Sequence, residues 1–160
     1  MLTQYFSTAL VLLLFCTACF NEPKVEIPQL SPEEQVIQNF LEQYYTTMSD
    51  RNWPAYQAMF WKNATLTTTW QKPGDSTAAV HITTIDEFIA QTPQGPDSQP
   101  IFEERMQEAE IEVRGNLARA WVSYTAKFGT EEQLHEWEGL DLFTLMRKND
   151  QWRIVALAYE

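Results

Sequence analysis

An acid stands in the middle of an apolar strand pattern near the end of this chain. In the run from Trp137 to Phe143, the two-residue period of a β-strand puts Trp137, Gly139, Asp141, Phe143 and Leu145 on one face. Glu138, Leu140, Leu142 and Thr144 take the other. A carboxyl among large apolar groups has its ionised form penalised, so it holds its proton to higher pH. Such a group can donate to a ligand oxygen or exchange a proton with a substrate. Gly139 removes side-chain bulk beside Asp141, as a pocket wall requires. Upstream, Phe102, Glu103, Glu104 and Arg105 place an acidic-basic pair on another strand, which makes Glu103 a second acid-base candidate and Arg105 a polar contact. The competing reading is structural: Asp141 forms an ion pair with Arg105 or Arg119, and Gly139 marks a bulge.

Other chemistries lack their residues. His81 and His135 are far apart and without metal-ligand spacing, so no metal site is expected. There is no glycine-rich phosphate loop and no nucleophile elbow, and Ser76 and Ser123 have no visible partner. No cofactor is implied. Trp70, Trp121 and Trp137 offer ring faces to a planar ligand, and equally to the core or to a dimer face.

The elements that must position these residues follow from periodicity. Ser31, Pro32 and Glu34 open a helix with an N-cap, a first-turn proline and a capping box. Val36, Ile37, Phe40, Leu41, Tyr44, Tyr45 and Met48 then form one apolar stripe. A short helix is predicted over 53–61, with Tyr56, Met59 and Phe60 inward, followed by a strand over 65–70, a turn at 72–75 and a return strand over 80–84. One or two helical turns at 85–89 and a proline-rich connecting loop at 92–100 lead to strands over 102–114, 117–128, 134–147 and 151–159. The fold class is α+β: N-terminal helices packed on a curved, mainly antiparallel sheet.

Residues 10–16 are apolar but too few to span a bilayer stably, and Ala18 precedes Cys19 as a processing site requires. Residues 1–18 therefore read as an export signal. Thr17, Ala18 and Cys19 resemble a bacterial lipobox, which implies lipidation at Cys19 and a location on the bacterial cell envelope; ordinary cleavage would give a soluble exported protein. Residues 19–30 form a tether and residues 31–160 the domain. Both cysteines, Cys16 and Cys19, belong to the exported leader or its edge, so the domain has neither disulfide nor thiolate site. The net charge of -11 falls wholly after the signal. Acidity of that size disfavours nucleic acid and anionic lipid, leaving the lipid anchor as the membrane contact.

The meander behind N-terminal helices resembles the cone-shaped fold of the nuclear transport factor 2-like superfamily, which includes ketosteroid isomerase, scytalone dehydratase and the polyketide cyclases (SnoaL-like proteins). The resemblance implies an internal pocket. When the ketosteroid isomerase pattern is laid on residues 39–68, anchored on Phe60 to Leu66, its oxyanion-donating tyrosine falls on Tyr44, and its protonated acid falls on Asp141. Its general base falls on Thr68, which cannot accept a proton near neutrality. Exported members of the superfamily give the nearest likeness, through Phe102 to Arg105 and Trp137 to Phe143.

The missing base favours binding over catalysis. The expected function is an envelope-anchored module that binds a small apolar or aromatic molecule through Tyr44, Trp70, Glu103, Arg105, Trp121, Trp137, Asp141 and Phe143. The alternatives are a cofactor-independent isomerase, dehydratase or hydrolase using Asp141, Tyr44 or Glu103, and a dimeric interaction module. Apolar residues on both strand faces point to a homodimer through the outer sheet face. The lipobox yields a direct expectation: the mature chain begins at an acylated Cys19, and Cys19→Ala removes the acyl mass. Intact mass spectrometry checks this, and an unmodified N-terminus elsewhere rejects it.

Overall fold

The computed structural model describes residues 29–70 and 76–160, with Trp70 described by its backbone alone. The export signal, Cys19, most of the tether, the turn at 72–75 and the Trp70 side chain lie outside the described residues.

Helix α1, Pro32–Ser49, begins at the expected capping box. The Ser31 hydroxyl accepts from the Glu34 N–H at 3.3 Å, and the Glu34 carboxylate accepts from the Ser31 N–H at 2.7 Å. Its stripe buries Ile37, Leu41, Tyr44, Tyr45 and Met48. Val36, expected on the stripe, is exposed, because it lies at the stripe's edge where no strand covers it. Asn52 caps α2, Trp53–Ala58, which stops earlier than expected because strand β1 already starts at Phe60 and runs to Trp70. The strand signal is hidden by Asn63, whose φ of 64° interrupts the register between Phe60 and Thr65.

Strand β2, Ala79–Thr84, returns antiparallel to β1, and α3, Ile85–Gln91, opens with a second capping box between Thr84 and Glu87. Two short 3-10 turns, Thr92–Gln94 and Pro96–Ser98, replace the expected irregular loop. They are strapped to the helices: the Arg51 guanidinium donates to the Gln99 carbonyl at 2.7 Å, and the Trp53 indole donates to Asp97 at 2.9 Å. The meander β3 (Ile101–Arg114), β4 (Leu117–Gly129), β5 (Leu134–Lys148) and β6 (Gln151–Tyr159) follows as the sequence predicts.

The six strands form one sheet in the order β2-β1-β6-β5-β4-β3, with β1 and β6 parallel and every other neighbour antiparallel. Bulges at Gln107 in β3 and at Val155 in β6, the latter opposite Thr144 and Leu145, bend the strands. The sheet curls without closing, and the helices fill its concave side. Ala118, Ala120, Val122, Tyr124 and Ala126 alternate inward along β4, opposite Leu145, Phe143, Asp141, Gly139 and Trp137 of β5.

Strand β3 is an edge, and its unpaired backbone faces α1. The Ser49 hydroxyl accepts from the Glu104 N–H at 2.8 Å and donates to the Glu104 carbonyl at 2.9 Å. One side chain thus satisfies both main-chain groups of one edge residue and fixes Glu104 against the end of the helix.

Candidate functional site

Between the helices and the concave sheet face lies a cavity of about 170 Å3. Its walls are mostly aromatic and aliphatic: Tyr44 and Met48 from α1, Tyr56 from α2, Phe88 from α3, Phe102 from β3, Tyr124 from β4, and Leu157 with Tyr159 from β6. Pro96 brings the 3-10 segment into the lining. Two carboxyls enter this apolar space, Asp141 and Glu104.

Asp141 is 3 % exposed and faces inward between Val122 and Tyr159 in register. It pairs with no arginine. The Tyr45 hydroxyl donates to its Oδ2 at 2.5 Å. Arg119 instead bonds Glu112, and Arg105 bonds Glu103, both on the convex side. The ion-pair alternative for Asp141 is therefore replaced by a phenol. Burial pushes the Asp141 carboxyl up to about 7, and the Tyr45 hydrogen bond opposes part of that rise.

Tyr44 and Tyr45 are consecutive, so they point in directions about 100° apart on the helix. Tyr44 turns to Tyr56, with the two hydroxyls 2.9 Å apart, and its ring meets Phe143 edge-on at 4.9 Å. Tyr45 alone reaches Asp141. Burial and the neighbouring carboxyls raise both α1 phenols well above the usual range, so each stays neutral.

Glu104 carries no distinguishing pattern in the sequence, yet it is the second acid of the cavity. In β3 the side chains of Phe102, Glu104 and Met106 share the concave face, opposite Phe128, Ala126 and Tyr124. Burial raises the Glu104 carboxyl to about 8, and the charge on Asp141 adds to the effect. Tyr124 rises to about 12 for the same reasons, opposed by the Trp137 indole beside it. Gly139 is opposite Tyr124, and a Cβ there would overlap the Tyr124 ring, so the glycine is what admits that ring.

The other sequence candidates divide by face. Phe143 is fully buried behind the cavity, under Tyr44, and Trp137 is half-exposed at the rim. Glu103, Arg105 and Trp121 are on the convex side and do not line the cavity, because a strand alternates its side chains and each is one residue out of phase with the lining. The neighbour Glu104 takes the place expected of Glu103. A second, open groove of about 650 Å3 runs between α1 and β3, lined by Glu42, Asp50, Glu103 and Arg105 among others. Tyr45, Phe102 and Glu104 belong to the walls of this groove, and Phe102 and Glu104 also to those of the cavity. Among the described residues no group of three His, Cys, Asp or Glu side chains is placed to hold a metal ion.

These helices, this unclosed sheet and the cavity between them are the fold of the nuclear transport factor 2-like superfamily. Residues 32–160 match the family described as "putative lumazine-binding", and the chain belongs to that family. Solved structures share the fold at low identity. One described as a putative scytalone dehydratase from Novosphingobium aromaticivorans is 13 % identical, with a TM-score of 0.63 over 80 % of this chain and 83 % of its own. An NTF2-like protein of unknown function from Pseudomonas putida is 18 % identical, with a TM-score of 0.60 over 80 % and 85 %. A protein from Xanthomonas campestris, described as a putative calcium/calmodulin-dependent protein kinase II association domain, is 8 % identical, with a TM-score of 0.61 over 81 % and 87 %. No curated protein matches the chain.

The two acids set how stability depends on pH. Their folded values of about 8 and about 7 lie above the ordinary 4.5 and 3.8, so between about pH 4 and 8 the folded state holds protons that the unfolded chain has released. Stability must therefore fall as pH rises through that window, by on the order of a few kcal/mol. The capping carboxylates Glu34 and Glu87, whose values are lowered, act in the opposite sense and below it. The melting temperature should drop between pH 5.5 and 8.5, and Glu104→Gln should flatten the drop. A flat or rising profile for the parent protein would contradict the assignment.

Proposed function

We propose that this domain binds a small molecule of about one ring in the aromatic cavity, and that it is displayed on the bacterial envelope through Cys19. The observation that carries the binding reading is the cavity itself: a partly enclosed, aromatic-walled space into which a few polar groups converge. Its size limits the ligand, since a cavity of about 150 Å3 holds a benzene ring. The family description points to lumazine, a fused two-ring heterocycle, and a ligand of that size requires Phe102 or the Pro96 segment to move outward. Phe143 packs behind the binding space against Tyr44, and Asp141 with Glu104 supplies its polar contacts.

Acid-base catalysis without a cofactor is the second reading, favoured by two carboxyls that titrate close to neutrality in one cavity. In that case the working pair is Glu104 and Asp141, with Tyr45 orienting Asp141, and Glu103 takes no part.

The binding reading is tested by filling the cavity. One-ring aromatic compounds at about a hundred times Kd should stabilise the parent protein by about 2.7 kcal/mol. Met48→Trp, which places an indole in the cavity, should abolish that gain while remaining folded. Thermal-shift measurements on both proteins check this; equal stabilisation of the two would place binding elsewhere.

The convex face supports pairing with a second copy. Val80 and Ile82 are 65 % and 67 % exposed, and the apolar groove of about 310 Å3 that Val80 lines with Trp121 and Leu140 lies on the side the helices leave uncovered. An apolar surface of this kind is stabilised by being covered. Light scattering at micromolar concentration should give twice the monomer mass, and Trp121→Arg should halve it. A monomeric parent protein would reject the pairing.

A further inference from the structure

We infer that the ligand of this cavity carries a positively charged nitrogen: an organic ammonium ion on a single ring, with its N–H groups on the Glu104 carboxyl and aromatic side chains around the rest. This inference rests on the cavity being a ligand site and names the class of molecule the site takes.

The first observation is a missing counter-charge. Asp141 and Glu104 enter the same cavity, and among the described residues no Lys, Arg or His lines it. Arg105 and Arg119, from the adjoining strands, are turned to the other face and bonded to Glu103 and Glu112. The groups that do face the carboxyls are phenols and carboxyls: Tyr44 and Tyr45 from α1, Tyr56 from α2, Tyr124 from β4 and Tyr159 from β6, while α3 contributes Phe88 and the 3-10 segment Pro96. Nothing in the described residues neutralises the pair, and burial raises both carboxyls accordingly.

The second observation is that most polar groups around the carboxyls are already engaged, while the Glu104 side chain is not. Tyr45 serves Asp141, Tyr44 and Tyr56 serve each other, and Ser49 serves the Glu104 backbone. The Glu104 carboxyl has no hydrogen-bond partner among the described residues, and the residue is part-buried where the cavity meets the open groove. Its oxygens are open to a donor that enters from the groove, and a ligand ammonium supplies charge-assisted hydrogen bonds there.

The third is the approach. The groove that shares Glu104 with the cavity is lined by Glu42, Asp50 and Glu103 against a single cation, Arg105, so its net negative charge attracts a cation and repels an anion. A metal ion would find two carboxyls and a wall of rings, whereas an organic ammonium gains from those rings through cation–π contact.

The test uses three probes with the same ring and arm: 2-phenylethylamine, 2-phenylethanol and phenylacetate. Each is titrated calorimetrically into the protein at pH 8.5 and pH 5.5. At pH 8.5 the amine should bind roughly tenfold more tightly than the alcohol, with the acid weakest. Protonation of the carboxyls at pH 5.5 should shrink that preference. Glu104→Gln and, independently, Asp141→Asn should each reduce it at pH 8.5, whereas Glu136→Gln, whose carboxylate bonds Lys127 away from both cavity and groove, should leave it intact. The alcohol binding as tightly as the amine at pH 8.5, or an amine preference that survives both cavity substitutions, overturns the inference and leaves a ring-binding cavity standing. Failure of all three probes also overturns it, if other one-ring compounds still stabilise the parent protein and not Met48→Trp. If no one-ring compound binds at all, the proposed function falls with it.

Discussion

The hydrogen bond from Tyr45 to Asp141 joins the first helix to the middle of the sheet, and the site is arranged around it. An acid buried among Val122, Phe143 and Tyr159 would be costly alone. A phenol that is itself buried and neutral meets one carboxylate oxygen at little cost, without bringing a second charge into the core. This choice fixes the phase of α1, because Tyr45 must face β5. Tyr44, one residue earlier, is then committed to Tyr56 and Phe143. The cavity is the space left between these two tyrosines and the strands.

The open edge of the sheet is the second constraint. Strand β3 has a neighbour on one side only, and at Glu104 its other side meets the last turn of α1. Ser49 supplies a donor and an acceptor together, so the edge is closed without another strand. Closing it there holds the Glu104 side chain inward. Packing of one helix against one edge thus determines both acids: Tyr45 positions Asp141 near one end of the contact, and Ser49 positions Glu104 near the other.

The two faces of the sheet divide the charges. The convex face carries the ion pairs of Glu112 with Arg114 and Arg119, and of Lys127 with Glu136, together with exposed apolar residues. At the cavity the concave face carries acids without bases among the described residues, and Arg147, in phase with Asp141 but at the far end of β5, bonds Glu33 of α1. Arg105 and Arg119 stay on the convex face because their long stems reach solvent there, while a small aromatic cavity has no room for a guanidinium and its partner.

Local pattern alone determined much of this protein. The capping box at Ser31, the stripe through Tyr44, Tyr45 and Met48, the four meander strands and the inward face of β5 follow from short-range preferences and from the periods of helix and strand. The Gly139 vacancy and the inward Asp141 were legible for the same reason. The choice between Tyr44 and Tyr45 was not, since both lie on the buried stripe and only the helix's rotation against β5 separates them. Nor was Glu104: the alternation of Phe102 and Met106 marks its face, but Glu103 beside it offers the same chemistry, and only pairing with β4 shows which one is covered. The early start of β1 was hidden because Asn63 breaks its period with a left-handed backbone. Asp141 could have met an arginine as far as sequence goes; the tertiary structure decided for a phenol, because strand pleating sends Arg105 and Arg119 to the far side of the sheet.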